Sequence, residues 1–199
     1  MSAREPTRLY FVRHGESEAN AAGVMAGQHD SPLTARGLAQ AEAVAQTLSA
    51  VAFDRIVTSD LSRCRVTAEI VAARQRARVE VFRELREIDV GDMALRPFDE
   101  VHGLPGWTDE GFVRWPGGES LEQVLRRSLD LIHRLVAESP GRRVLVVGHG
   151  GVTRILVSHF LRVLPRLERA PATNTNITVV VTDGITYRVE QLFDDAHVV

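Results

Sequence analysis

Short β-rich apolar runs that end abruptly at a polar or glycine-bearing segment, each followed by a stretch of helical period, restrict this chain's fold more than any other feature. Residues 8–12, Arg-Leu-Tyr-Phe-Val, form the first run and stop at Arg13-His14-Gly15. The pattern predicts a buried strand and then a loop through Pro32. Thr34 is placed to cap a helix whose apolar positions Leu38, Ala41, Ala45 and Leu48 keep the helical period. Residues 53–58 predict strand two, residues 61 to about 73 a helix with Leu61, Cys64, Ala68 and Val71 on one face, and residues 79–82 strand three. From about residue 86 to 118 the pattern gives way to prolines, glycines, acids and tryptophans, an irregular excursion with one short helix near residues 98–102. Order resumes at Ser120, which with Gln123 resembles a capping box before a long amphipathic helix carrying Leu121, Val124, Leu125, Ser128, Leu131, Ile132 and Leu135. Residues 144–147 predict a fourth strand, residues 152 to about 164 a helix, and residues 177–181 and 186–191 a closing hairpin around Asp183-Gly184.

Strands alternating with helices imply an α/β fold, with a mostly parallel central sheet, helices on both faces and an antiparallel pair near the C-terminal end. The 199 residues, 44% of them hydrophobic, suit one domain over residues 1–199 with the excursion at about 86–118 as a lid. Charged residues make up 25% and the formal net charge is -2, so no global field attracts nucleic acid or an anionic membrane surface. Cys64, the single cysteine, has no partner for an internal disulfide, and no Cys/His spacing suggests zinc. The polar start, the brevity of the first apolar run and the lack of any apolar stretch of about 20 residues predict a soluble, cytoplasmic protein with neither signal peptide nor membrane span.

In open α/β sheets the ligand crevice lies beyond the carboxyl ends of the strands. There the predicted elements put Arg13 and His14 after strand one, Arg63 in the first helical turn after strand two, Glu87 after strand three and His149 after strand four. Two histidines, two arginines and a carboxylate suit phosphoryl transfer, where catalysis is mostly positioning and charge stabilisation. His14 is the candidate nucleophile, kept unprotonated by the neighbouring guanidinium groups. The planar forks of Arg13 and Arg63 match phosphate oxygens. Glu87 is the candidate general acid for the leaving alkoxide, His149 a donor to an equatorial oxygen, and backbone amides around Gly15 and Gly150 are expected to complete the cradle.

Arg13-His14-Gly15-Glu16-Ser17 with Asn20 resembles the signature of the histidine phosphatase superfamily, which includes cofactor-dependent phosphoglycerate mutases and many small phosphatases. The likeness continues in order through Ser31-Pro32-Leu33-Thr34-Ala35-Arg36-Gly37, Ser59-Asp60-Leu61 with Arg63 and Thr67-Ala68, Leu85 with Glu87 and Gly91, Pro116-Gly117-Gly118-Glu119-Ser120, and Val147-Gly148-His149-Gly150. It implies a phosphoglycerate mutase-like fold, a phosphohistidine at His14, a phosphate pocket from Arg13, Arg63 and His149, a supporting contact from Asn20, and no metal or other cofactor. Many members continue after the acid's glycine with Trp-Glu-Gly, where this chain has Met93-Ala94-Leu95.

Some residues have two readings. Asn20 either contacts substrate or caps a turn, and Glu119 with Ser120 is a helix start whose acid could also touch the pocket. His29, His133, His159 and His197 read as solvated or partly buried side chains, His102 as a lid residue within possible reach of substrate, and Cys64 as packing. Trp107, Phe112 and Trp115 suggest a small core for the excursion. Between Asp92 and Trp115 the acids Asp92, Asp99, Glu100, Asp109 and Glu110 outnumber the bases Arg96 and Arg114. A compact, acidic lid disfavours a polyanionic substrate. The expected activity is therefore a phosphatase acting on a small phosphomonoester, with a phosphoglycerate mutase-type transferase as the alternative and a non-catalytic phosphate-binding scaffold as the third reading.

Overall fold

The computed structural model describes residues 5–75, 77–102, 104, 114–164, 166, 167 and 170–198. Strands β1 (Thr7–Arg13), β2 (Arg55–Thr58), β3 (Val79–Val81), β4 (Arg143–Gly148), β5 (Ile177–Thr182) and β6 (Tyr187–Asp194) form one sheet in the order β3-β2-β4-β1-β5-β6. Its first four members are mutually parallel, β5 runs antiparallel to β1, and β6 runs antiparallel to β5. Alternation along the inner strands sends side chains to two faces. Leu9, Phe11, Val144 and Val146 meet α5 (Leu121–Glu138) and α6 (Gly150–Phe160) on one face. Val12, Leu145, Val147 and Ile56 meet α2 (Ala35–Thr47) and α3 (Ser62–Ala72) on the other. Each fully buried aliphatic side chain contributes about 1.5–3 kcal/mol, and β1 and β4 carry such side chains on both faces.

The helix starts follow their caps. Thr34 Oγ1 accepts from Gly37 N at 2.9 Å, and Ser120 with Gln123 forms a reciprocal capping box. Other bounds shift. The loop expected after β1 contains a one-turn helix, α1 (Glu18–Ala21), because Ser17 and Asn20 make a second capping box. Strand β2 begins at Arg55 rather than Phe53, whose ring packs edge-on against Tyr10 at 5.1 Å. Helix α6 starts at Gly150, two residues before the expected start, and ends at Phe160. Leu38 is exposed, while Gln40 and Val44 take the inner face of α2.

Within the excursion, α4 (Phe98–His102) lies where the sequence predicts a short helix. Val90, Met93, Val101 and Trp115 make a separate small core with Met25 and Leu104 packed against it. Trp107, Phe112, Asp109 and Glu110 lie outside the described residues. Among the described residues no helix is long and apolar enough to cross a membrane.

Candidate active site

The carboxyl edge of β1 and β4 gathers the predicted residues. His14 follows β1 with 3% exposure, and its amide donates to Gly148 O at 3.0 Å. Its Nδ1 lies 2.7 Å from Gly15 O, and Arg63 Nε donates to its Nε2 at 3.2 Å. A carbonyl oxygen only accepts, so Nδ1 carries the proton of the neutral ring and Nε2 carries the lone pair. Burial, then Arg13 and Arg63, hold the imidazole well below its ordinary pKa, against a smaller opposite effect of the Gly15 carbonyl.

Arg63 is buried although charged, and its Nη1 and Nη2 donate to the carbonyls of His29 at 2.9 Å and Gly27 at 2.8 Å. Arg13 donates through Nη1 to Ala172 O. Its Nε is buried without a hydrogen-bond partner among the described residues, an unmet donor suited to an anionic oxygen. Burial lowers the Arg13 pKa, with Glu87 opposing and Arg63 adding to the fall.

His149 is fully buried, its ring 5.2 Å from that of His14 at an interplanar angle of 67°. Ser59 Oγ lies 3.0 Å and Cys64 Sγ 3.3 Å from His149 Nε2. Ser59 Oγ also accepts from Leu61 N, and its second lone pair and its O–H let it pair with Nε2 in either ring tautomer. Burial first, then Arg63, His14 and Arg13, keep this imidazole well below its ordinary pKa as well. The Cys64 thiol donates to Gly148 O at 3.4 Å, and burial pushes its pKa up. Cys64 is thus packed against His149 rather than only within the apolar face.

Glu87 follows β3 after a 3-10 turn, Arg83–Leu85. Its Oε1 and Oε2 accept from Ile88 N at 2.9 Å and Gly151 N at 3.1 Å. The loop carrying it is fastened by two arginines. Arg86 makes a bidentate pair with Asp60, both contacts at 2.7 Å. Arg127 donates to the carbonyls of Glu84, Arg86 and Glu87, and grips the Glu119 carboxylate at 2.7 and 2.8 Å. Burial alone would raise Glu119, but Arg127 and the Asp89 amide outweigh it and hold it below its usual value. Glu119 therefore braces the loop of Glu87.

One expectation changes. The Gly15 amide is not free for a ligand, because it donates to Thr67 Oγ1 at 3.1 Å. A side chain at Gly15 is excluded for packing, since its Cβ would stand 2.3 Å from Gly37 O. Asn20 is a capping residue, with Oδ1 accepting from Ser17 N at 3.3 Å. It also belongs to the His14 cluster, since Asn174 Nδ2 donates both to Asn20 Oδ1 at 3.2 Å and to His14 O at 3.0 Å. Gly150 opens α6, where first-turn amides lack helical partners. Of the remaining histidines, His29 supplies its carbonyl to Arg63, His133 and His159 stand beside Tyr187 and Phe160, His102 lies near Phe98, and His197 reaches Thr175 O at 2.9 Å. Among the described residues no three His, Cys, Asp or Glu side chains cluster as a metal site. Ser59, Thr67, Arg127 and Asn174 have no role that sequence reasoning assigns. Ser59 and Thr67 lie within motifs already singled out, whereas Arg127 and Asn174 stand alone in sequence.

A family profile described as "Histidine phosphatase superfamily (branch 1)" matches residues 9–195. The chain belongs to the histidine phosphatase superfamily. Among curated members it is 38% identical over 170 residues to a probable phosphoglycerate mutase, GpmB, of Cronobacter sakazakii, covering 81% of this chain and 78% of that one. It is 34% identical over 160 residues to an adenosylcobalamin/alpha-ribazole phosphatase of Salmonella typhimurium, covering 77% and 79%. Among solved superfamily structures, a mycobacterial glucosyl-3-phosphoglycerate phosphatase in complex with VO3 matches with a TM-score of 0.85 at 31% identity, over 97% of this chain and all of that one. This superfamily member therefore has both mutase-named and phosphatase-named relatives.

Proposed function

We propose that the protein is a phosphatase that hydrolyses a small phosphomonoester through a phosphohistidine on His14. The reading rests first on the His14 ring: Nδ1 is pinned to Gly15 O, which leaves the Nε2 lone pair facing Arg63. In the first step His14 Nε2 bonds to phosphorus as the ester P–O bond breaks, and Glu87 delivers a proton to the leaving oxygen. In the second step water attacks phosphorus, Glu87 takes back a proton, and the Nε2–P bond breaks to release phosphate. Arg13 and Arg63 neutralise the equatorial oxygens, and the unmet Nε donor of Arg13 supports this role. His149 donates a ring N–H to one of those oxygens, Asn20 supports another, and the Gly150 amide at the start of α6 adds a cradle. No step calls for a metal.

Hydrolysis is favoured over transfer to a second substrate by the lid. Its acids Asp92, Asp99 and Glu100 are exposed, and the nearby base Arg96 is paired with Glu100 at 3.4 Å. Such a surface repels a doubly phosphorylated primer. The relatives named as phosphatases of alpha-ribazole and of glucosyl-3-phosphoglycerate support the same choice. The mutase-named relative favours the second reading, a phosphoglycerate mutase-type transfer.

The test is hydrolysis of an aryl phosphate with and without chelator, followed by quenching with labelled substrate. Wild type should turn over equally in both and carry an acid-labile label that His14→Ala lacks. A label that survives His14→Ala would remove the nucleophile. With 3-phosphoglycerate and its bisphosphate primer, efficient isomerisation would decide for the mutase, and phosphate binding without turnover of any ester would decide for a scaffold.

A further inference from the structure

The turn before β5 touches the nucleophile's strand at several points. Arg13 N donates to Asn176 O at 3.3 Å, Thr175 N donates to Arg13 O at 3.1 Å, and Arg13 Nη1 donates to Ala172 O. At its centre Thr175 is fully buried with φ of 61°, a left-handed conformation that β-branched residues rarely adopt. Strain of this kind persists only where surrounding contacts impose it, and it clusters at functional sites. Here its effect is to set Asn174 between two acceptors, His14 O at 3.0 Å and Asn20 Oδ1 at 3.2 Å.

The orientation of both amide groups follows from backbone partners. His14 O is a carbonyl and only accepts, so the end of Asn174 that faces it is the NH2. Ser17 N only donates, so the end of Asn20 that faces it is the oxygen. These independent assignments agree, because the Asn174 NH2 then meets the Asn20 oxygen. With Oδ1 held by two donors, the Asn20 NH2 is turned the other way and has no partner among the described residues. Asn20 in this orientation offers N–H donors, whereas the flipped amide would present an oxygen that repels phosphate.

We propose that Asn174 is a positioning residue that locks the Asn20 amide with its donors toward the phosphoryl oxygens, so that the turn before β5 completes the anion pocket. The inference rests on the phosphatase reading for its substrate, but its logic applies to any tetrahedral oxyanion beside His14. Asn174 touches no reacting atom and acts through Asn20.

A double-mutant cycle tests this. Asn174→Ala and Asn174→Asp are made in the wild-type and Asn20→Ala backgrounds, and kcat/KM on an alkyl phosphate and Kd for orthovanadate are measured. With Asn20 present, either change should lower kcat/KM and weaken vanadate binding about 10- to 100-fold, the effect of a hydrogen bond to a charged group. In the Asn20→Ala background the same change should cost less than about threefold. Equal losses in both backgrounds would overturn the proposal, because Asn174 would then act on His14 or on folding rather than through Asn20. The two variants guard against one failing to fold, as checked by thermal unfolding. If wild type hydrolyses no ester, the phosphatase reading fails, while coupling in vanadate binding still decides the role of Asn174.

Discussion

Arg63 Nε–H is directed at His14 Nε2 across 3.2 Å, so the cation that suppresses protonation of the imidazole touches the nitrogen that holds its lone pair. The same contact would become repulsive if the ring were protonated at Nε2. The proposed nucleophile and a proposed phosphate clamp are therefore coupled before substrate arrives.

The coupling fixes a pH dependence. A base that must be neutral loses activity as pH falls through its pKa, and His14 sits well below 6.5 because of burial, Arg13 and Arg63. The acid limb of kcat/KM assigned to His14 should therefore lie well below that value. Arg63→Met removes one of the charges that lower the pKa, so that limb should move to higher pH, and kcat/KM at neutral pH should fall about 100- to 1,000-fold. A pH–rate profile of the free enzyme measures both, and an unmoved limb would mean that another group titrates there.

Stability should follow pH for the same reason. His14 and His149 are held well below 6.5 in the folded state, mainly by burial, and regain ordinary values on unfolding. Below about pH 6.5 the unfolded chain binds more protons, so stability present above that pH is lost as pH falls. The two together approach a slope of about 2.7 kcal/mol per pH unit. His159, lowered by burial but only partly covered, adds less with the same sign. Denaturant midpoints between roughly pH 6.5 and 5 should fall steeply in wild type and markedly less in His149→Gln. Equal slopes would show that His149 is not held neutral.

The strand-end rule places His14 and His149 after β1 and β4, whose apolar runs are buried on both faces, and Arg63 and Glu87 after the shorter β2 and the half-exposed β3. The motifs also had visible local causes. Thr34 caps α2 and bonds Glu16 Oε1 at 2.9 Å, while Gly37 lets α2 approach the loop after β1, since its Cβ would stand 2.0 Å from Glu16 O. What could not be read were tertiary pairings. Arg127 looks like any outward arginine of α5, and only the folded chain brings it to Glu119 and the carbonyls around Glu87. Asn174, Ser59 and Thr67 are short polar residues whose partners lie far away in sequence. The Gly15 amide is occupied by Thr67, which comes from α3 and lies far from it in sequence.

Gly151 faces the proposed acid so closely that a Cβ there would stand 2.5 Å from Glu87 Oε1 and 2.9 Å from Ile88 Cδ1. Gly151→Ala should displace the carboxylate from the Gly151 amide, now 3.1 Å from Oε2. An alkyl phosphate, which needs its leaving oxygen protonated, should lose about 100-fold in kcat, and an aryl phosphate much less. Equal losses on the two substrates, with folding intact by circular dichroism, would take Glu87 out of the acid role.

Leu95 tests the departure from the family's Trp-Glu-Gly. It stands where many members carry glycine and has φ of 63° with 48% of its surface exposed. The turn cannot relax, because Leu95 N donates to Met25 O at 2.7 Å and Met25 N donates to Arg96 O at 2.9 Å. A Cβ in this conformation costs about 1–2 kcal/mol. Glycine removes that cost but gains about 0.5–1 kcal/mol of freedom in the unfolded chain. Leu95→Gly should therefore stabilise by about 0.5–1 kcal/mol, a rise in Tm of about 1–4 °C for a chain of this size. Because Met93 remains in the small core with Val90, Val101 and Trp115, kcat/KM on an aryl phosphate should stay within about twofold. A fall in Tm would show that the Leu95 side chain contributes more by packing than its backbone costs. A stable variant with an altered KM would instead assign this turn to substrate placement, and so make Met93-Ala94-Leu95 part of what selects the ester offered to His14.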